Sequence, residues 1–263
     1  MLEIVDVSVL GWFIGAGVFV GILLCLTLGR WLGRRAIARH GAAGMPSVGS
    51  LEATVFALLG LLIAFTFSGA LTRFDVRRAQ VVDEANAIGT AYYRIDLLPA
   101  SVQPRLRETF RNYVDSRIST YKKLPDIAAA RGEVARSLEL QADIWSQAVA
   151  AVRMPDSRPE AELLVLPALN QMFDITTVRV AATQIHPPLL IYAMLIGLAL
   201  ASALLASYQS AGEKGYDLVH KIGFAGIVAL TIYVILDIEY PRVGWVRIDA
   251  IDQLLVNVRA GMK

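Results

Sequence analysis

Four long runs of the chain contain no charged residue: Val9–Gly29, Ala53–Leu71, Pro187–Gly212 and Ile222–Leu236. A helix rises about 1.5 Å per residue, so about 20 apolar residues cross a hydrocarbon layer about 30 Å thick. The first three runs come to that length unaided. The fourth is shorter, but Lys221 can snorkel at one end and Tyr240 and Trp245 stand beyond the other. A helix at a soluble surface keeps a polar face, so four stretches uncharged all round predict four spanning helices rather than a buried core. Glu3 and Asp6 precede the first run and no basic residue does. That is the wrong charge for a cleaved signal peptide, and the helix is expected to be retained.

The charge is segregated. Hydrophobic residues make up 56% of the chain and charged residues 18%, with a mean hydropathy of +0.52 and a net charge of +2. Such a balance excludes disorder, and it supplies no basic patch for a nucleic acid. Yet Thr72–His186 alone holds 15 basic and 14 acidic residues. Within it Val102, Leu106, Phe110, Tyr113, Ile118 and Tyr121 recur at helical spacing. Pro99, Pro104, Pro125, Pro155 and Pro167 should divide the block into about four helical pieces. The second span has no stop signal: Phe74, Val81, Val82, Ala85, Ile88 and Tyr92 carry a helical stripe onward. One long helix is therefore predicted to run from membrane to bundle and to couple the two rigidly. A matching helix from about Ala168 should enter the third span, bent at Pro187–Pro188.

The expected fold is an all-α integral membrane protein with four transmembrane helices in a two-plus-two layout and a helical extramembrane bundle between helices 2 and 3. Its parts are residues 1–71 (helices 1 and 2), 72–186 (the bundle), 187–240 (helices 3 and 4) and 241–263 (an amphipathic tail). Arg30, Arg34, Arg35 and Arg39 fall in what reads as the loop after the first span, and Lys214 and Lys221 lie between the third and fourth. The positive-inside rule then places both loops in the cytoplasm of a bacterial inner membrane, with the N-terminus, bundle and C-terminus outside. Arg73, Arg77, Arg78, Arg242 and Arg247 flank the opposite side, but the first hairpin usually dominates.

Little points to catalysis. His40, His186 and His220 have no second ligand at i+3 or i+4, and Cys25 is alone in mid-membrane. No zinc-type set, phosphate loop or nucleophile motif is present. Gly15, Gly17 and Gly21 mimic a dinucleotide fingerprint, but no strand precedes them. The chain is read as a non-enzyme without metal or cofactor. Its expected partners are the lipid bilayer, copies of itself and ions.

Small residues form strips along the spans. Gly17, Gly21, Cys25, Gly29 and Gly33 recur every fourth residue on the first, Ala53, Ala57, Gly60, Ala64 and Ser68 mark the second, and Ala193, Gly197 and Ala201 the third. Small side chains let helix backbones approach closely in lipid. The strips suit packing inside one protomer or an interface between subunits. Phe65, Thr66 and Ser68 are candidates for a pore lining or gate. No ionisable residue sits near a span centre, which disfavours a proton pump, whereas a channel needs only backbone groups, hydroxyls and constrictions. Asp237, Glu239 and Arg242 end the fourth span, either as an interface cap or as a charged pore mouth. Glu52 either complements the second helix's dipole or forms a ring at the opposite mouth.

The run LEATVFALLGLLIAFTFSGAL continuing into TRFDVRRAQVVDEANAIGTAYYRIDLLP and RLRETFRNYV, with the closing LDIEYPRVGWVRID, resembles the bacterial bestrophin-like membrane family. Phe74, Arg78, Glu84, Ala85, Asn86, Asp237, Pro241, Gly244 and Arg247 carry the resemblance. After the closing motif, a short amphipathic helix would present Ile251, Leu254, Leu255 and Val258. The resemblance implies an oligomeric ion channel. The alternative is a non-conducting scaffold or sensor whose bundle binds a partner. The chain departs from true bestrophins, which are pentameric anion channels with a cytoplasmic insert. It lacks their aromatic-rich neck, offering only Phe65 and Phe67, and it lacks an acidic cluster like their calcium clasp.

Overall fold

The computed structural model describes residues 4–41, 49–124, 126–212, 218–242 and 244–263, with side chains from Gly11 onward in the first helix. Every regular element among them is helical: α1 (Ile4–His40), α2 (Gly49–Arg94), α3 (Gln103–Lys122), α4 (Ile127–Val152), α5 (Pro159–Ala182), α6 (Leu189–Gln209), α7 (Leu218–Glu239) and α8 (Asp249–Ala260). Helices α1, α2, α6 and α7 are long and apolar enough to cross a membrane.

Two sequence expectations change. Arg30, Arg34, Arg35 and Arg39 lie on α1, not in a loop. Nothing before Gly41 breaks the helix. Gly41 takes φ +73°, which only glycine adopts without strain, and its N–H closes back on the Ile37 carbonyl at 2.8 Å. The anticipated bent helix into the third span is instead two helices. α5 ends at Ala182, and α6 starts at Leu189 behind an extended Pro188 with ψ 139°. Adjacent prolines lack N–H donors, and Pro188 disfavours helical geometry at the residue before it.

Pro167 behaves the other way. It lies inside α5, where a break was expected. Its neighbours Val165, Ala168 and Leu169 are buried, and Arg94 donates to the Leu164 carbonyl at 2.7 Å. Packing holds the helix through a residue that disfavours it. Pro104 opens α3, and Pro125 lies outside the described residues.

The chain divides into two compact units. One joins residues 6–73 and 186–240; the other joins 74–185 and 241–263. Helix α2 is a single helix of 46 residues and contributes to both. Its stripe Val81, Ala85, Ile88 and Tyr92 is buried in the second unit, whereas Val82 on the same stretch is exposed. That unit is a helical bundle around Phe110, Tyr113, Ile144, Leu169 and Met172. The segment 241–263 belongs to this core: Leu255 and Met262 are buried in it and Val258 packs against it, while Leu254 stays exposed.

Candidate functional site

In the unit of apolar helices, α2 presents an uncovered face. Ala57, Gly60, Ala64 and Ser68 are all exposed along it, and Phe65 beside them is 68% exposed. Residues three and four apart share a helix face, so these positions form one stripe. Thr66 does not join them. It is half-buried, and its hydroxyl donates within its own helix to the carbonyls of Leu62 (2.7 Å) and Ile63 (3.0 Å). Glu52 sits in the first turn of α2, where a carboxylate complements the helix dipole.

The strips of small residues separate by what surrounds them. A Cβ on Gly29 would lie 2.2 Å from the Leu204 carbonyl oxygen, and one on Gly33 would lie 2.5 Å from that of Tyr208. Here α1 and α6 touch backbone to backbone. Gly21 faces Leu200, whose Cδ2 would be 3.1 Å away. At Gly17, Gly60 and Gly197 nothing among the described residues lies within 4 Å of an added Cβ, and Ala64 is exposed.

Two carboxylates near the end of α7 are buried. Glu239 is fully buried. Arg73 donates to it through Nε (2.9 and 3.0 Å) and Nη2 (2.7 Å), and His186 Nδ1 lies 3.1 Å from its Oε1. The His186 ring stacks on Tyr240 with centroids 4.6 Å apart. Asp237 is also buried and accepts from the Tyr233 hydroxyl at 3.3 Å; Tyr233 in turn packs on Trp12 of α1. A buried carboxylate costs several kcal/mol unless paired; Glu239 is paired by Arg73 of α2 and by His186, and Asp237 is bonded by Tyr233 of its own helix. Arg242 belongs to the other unit, where Nη1 and Nη2 donate to Asp252 at 2.6 and 3.1 Å.

The bundle contains a constellation that the sequence reading left unassembled. Glu84 is fully buried and accepts from Arg117 Nε at 2.6 Å and from Arg179 Nη1. Arg117, also fully buried, donates through Nη2 to the Tyr121 hydroxyl at 2.7 Å. Arg179 and Arg242 each pack on the Tyr121 ring, 4.3 Å from its centroid. Burial pushes the Tyr121 hydroxyl above its usual range and that of Tyr113 up to about 12. Tyr113 shares a hydrogen bond with Thr176 (2.9 Å) and accepts one from Gln141 (3.2 Å). One signal was available: Tyr113, Arg117 and Tyr121 recur every fourth residue, placing an arginine on an apolar helix face. Ion pairs and ring contacts among these groups tie α2, α3 and α5 to one another. Among the described residues no group of three or more His, Cys, Asp or Glu side chains could hold a metal.

Comparison with known proteins supports this reading of the fold. The Bestrophin-like domain model matches residues 20–250. Two crystal structures of single-substitution variants of a bacterial bestrophin homolog from Klebsiella pneumoniae align with the chain. One has a TM-score of 0.61 and 12% identity, covering 91% of this chain and 99% of that one. The other has a TM-score of 0.63 and 13% identity, covering 92% and 97%. At such identity the likeness is one of fold. No curated protein matches.

Proposed function

We propose, from the premise that this chain belongs to the Bestrophin-like family, that it is a homo-oligomeric ion channel of a bacterial inner membrane, with α2 of each subunit facing the axis. The uncovered small-residue face of α2 carries this reading. Gly60, Ala64 and Ser68 lie exposed in the isolated chain, with Phe65 projecting next to them. Small residues permit close helix approach around an axis, a hydroxyl can meet a partly dehydrated ion, and an aromatic ring can constrict the path. Ser68 and Phe65 are the proposed lining and gate, and Thr66, its hydroxyl already engaged, supports them from behind. Asp237 and Glu239 brace helix ends in this reading and are not a vestibule. A non-conducting scaffold whose bundle binds a partner is the alternative.

Purified oligomers in liposomes should pass ions above the level of empty vesicles. With the native Cys25 replaced by serine, Ser68→Cys should react with a water-soluble thiol reagent, and the modification should reduce flux several-fold. An intact oligomer without flux, or a thiol fully protected in a conducting state, would count against the channel. Charge distribution further supports the bundle and C-terminus lying outside the cytoplasm. An enzyme reporter fused after Lys263 should then be active only in its periplasmic form, and cytoplasmic activity would reverse this orientation.

A further inference from the structure

The bundle holds an open cavity of about 300 Å³ between the end of α3 and the segment from Arg242 to Val256. That is the small end of the range for sites that bind small molecules. Its walls are of two kinds. Ile118, Leu124, Leu255 and Val256 are apolar, and Lys122, Arg242 and Arg247 face Asp249 and Asp252 across the remainder. Three cations thus meet two carboxylates.

Both carboxylates are already engaged within the wall. Asp252 takes two donors of Arg242, at 2.6 and 3.1 Å, with Arg179 a further 3.7 Å away. Asp249 pairs with Arg247 Nε at 3.0 Å and with Arg242 Nη1 at 3.5 Å. Lys122 has no hydrogen-bond or ion-pair partner among the described residues and stands exposed at the rim. Deeper in, Tyr121 lines the cavity and is backed by Arg117 and Arg179, two guanidinium groups that share the single carboxylate of Glu84. Arg117 Nη1 is buried there with no acceptor among the described residues. Positive charge is in excess at the rim and again behind the wall, and in a partly desolvated recess such an excess favours an anion.

We propose that this cavity binds a small organic monoanion, a carboxylate held by Lys122 and Arg247 with a short hydrocarbon body against Ile118, Leu124, Leu255 and Val256. The division of the walls requires both halves of such a ligand. A bare inorganic anion leaves the apolar wall wet, and an uncharged chain leaves Lys122 unanswered. The inference rests on the bundle alone and is independent of whether the protein conducts.

Calorimetric titration of the detergent-solubilised full chain with hexanoate tests it. Hexanoate should saturate at one molecule per chain. Acetate should bind at least tenfold more weakly, because four methylenes no longer leave water. Hexanol and hexylammonium should bind at least tenfold more weakly than hexanoate, since neither satisfies the cations. The double variant Lys122→Gln/Arg247→Gln should lose at least tenfold in hexanoate affinity with an unchanged unfolding midpoint, as both side chains are exposed. Val256→Ala should narrow the gap between hexanoate and acetate. No saturable binding, hexanol or hexylammonium matching hexanoate, or wild-type affinity in the folded double variant would overturn the proposal. Inorganic phosphate binding as tightly as hexanoate would overturn it as well.

Discussion

Glu84→Gln is expected to destabilise the bundle by about 3–5 kcal/mol, the usual cost of removing one partner from a buried ion pair. Glu84 has no contact with solvent, and it is the shared acceptor of Arg117 and Arg179. Arg117 is equally buried, and its Nη1 lacks a partner among the described residues. Glutamine keeps the shape and one acceptor oxygen but removes the charge that two guanidinium groups require. They cannot escape by deprotonating, since an arginine in a protein keeps its proton. The comparison is Glu133→Gln. Glu133 pairs with the part-exposed Lys123 at 2.5 Å, and the Lys123 ammonium holds its carboxyl below the usual range. An ion pair with a solvated partner contributes about 0–1 kcal/mol, so this variant should stay close to wild type. Denaturant unfolding of both variants in detergent checks the pair. A Glu84→Gln protein as stable as Glu133→Gln would mean that water already solvates the cluster.

The second large effect is expected at Gly29. A Cβ there would come within 2.2 Å of the Leu204 carbonyl oxygen, far inside van der Waals contact. A backbone oxygen cannot swing aside as the tip of a flexible side chain can, so α1 and α6 must separate. Over-filling a packed site costs about 1–3 kcal/mol when neighbours can yield. Gly29→Val should exceed that and appear as loss of folded, monodisperse protein. Gly60→Val makes the contrast, because among the described residues no side chain or other helix lies within 4 Å of a Cβ added there. The Gly60 variant should keep the protomer folded and, if α2 faces its copies, should shift the oligomer to smaller species by light scattering. Full-yield, wild-type-stable Gly29→Val would show that the two helices do not meet where the structure has them.

Reading particular residues shows where the sequence could be trusted. The apolar runs were legible because transfer into lipid depends on composition summed along one helix, and no partner needs to be known. The length of α2 was legible for the same local reason: the stripe Val81, Ala85, Ile88 and Tyr92 keeps helical register, and Pro99 is the first breaker. The end of α1 was misjudged because basic residues suggested a loop, whereas the helix runs on to His40 and Gly41 takes the left-handed turn behind it. Pro167 was misjudged in the opposite sense. Its penalty is local, but the packing of Val165, Ala168 and Leu169 that outweighs it is not. Nor could sequence separate Gly29 from Gly60, since both are small residues on apolar helices and only the neighbouring backbone distinguishes them.

By itself, then, the sequence determined an all-α membrane protein with four apolar helices and a charged helical insert, because solvation and helical periodicity act over a few consecutive residues. The tertiary structure alone decided which charges meet. Glu84 is 33 residues from Arg117 and 95 from Arg179 along the chain, and Arg73 is 166 from Glu239. Charges this far apart in sequence become partners only when packing removes water from both, and no local pattern encodes that choice.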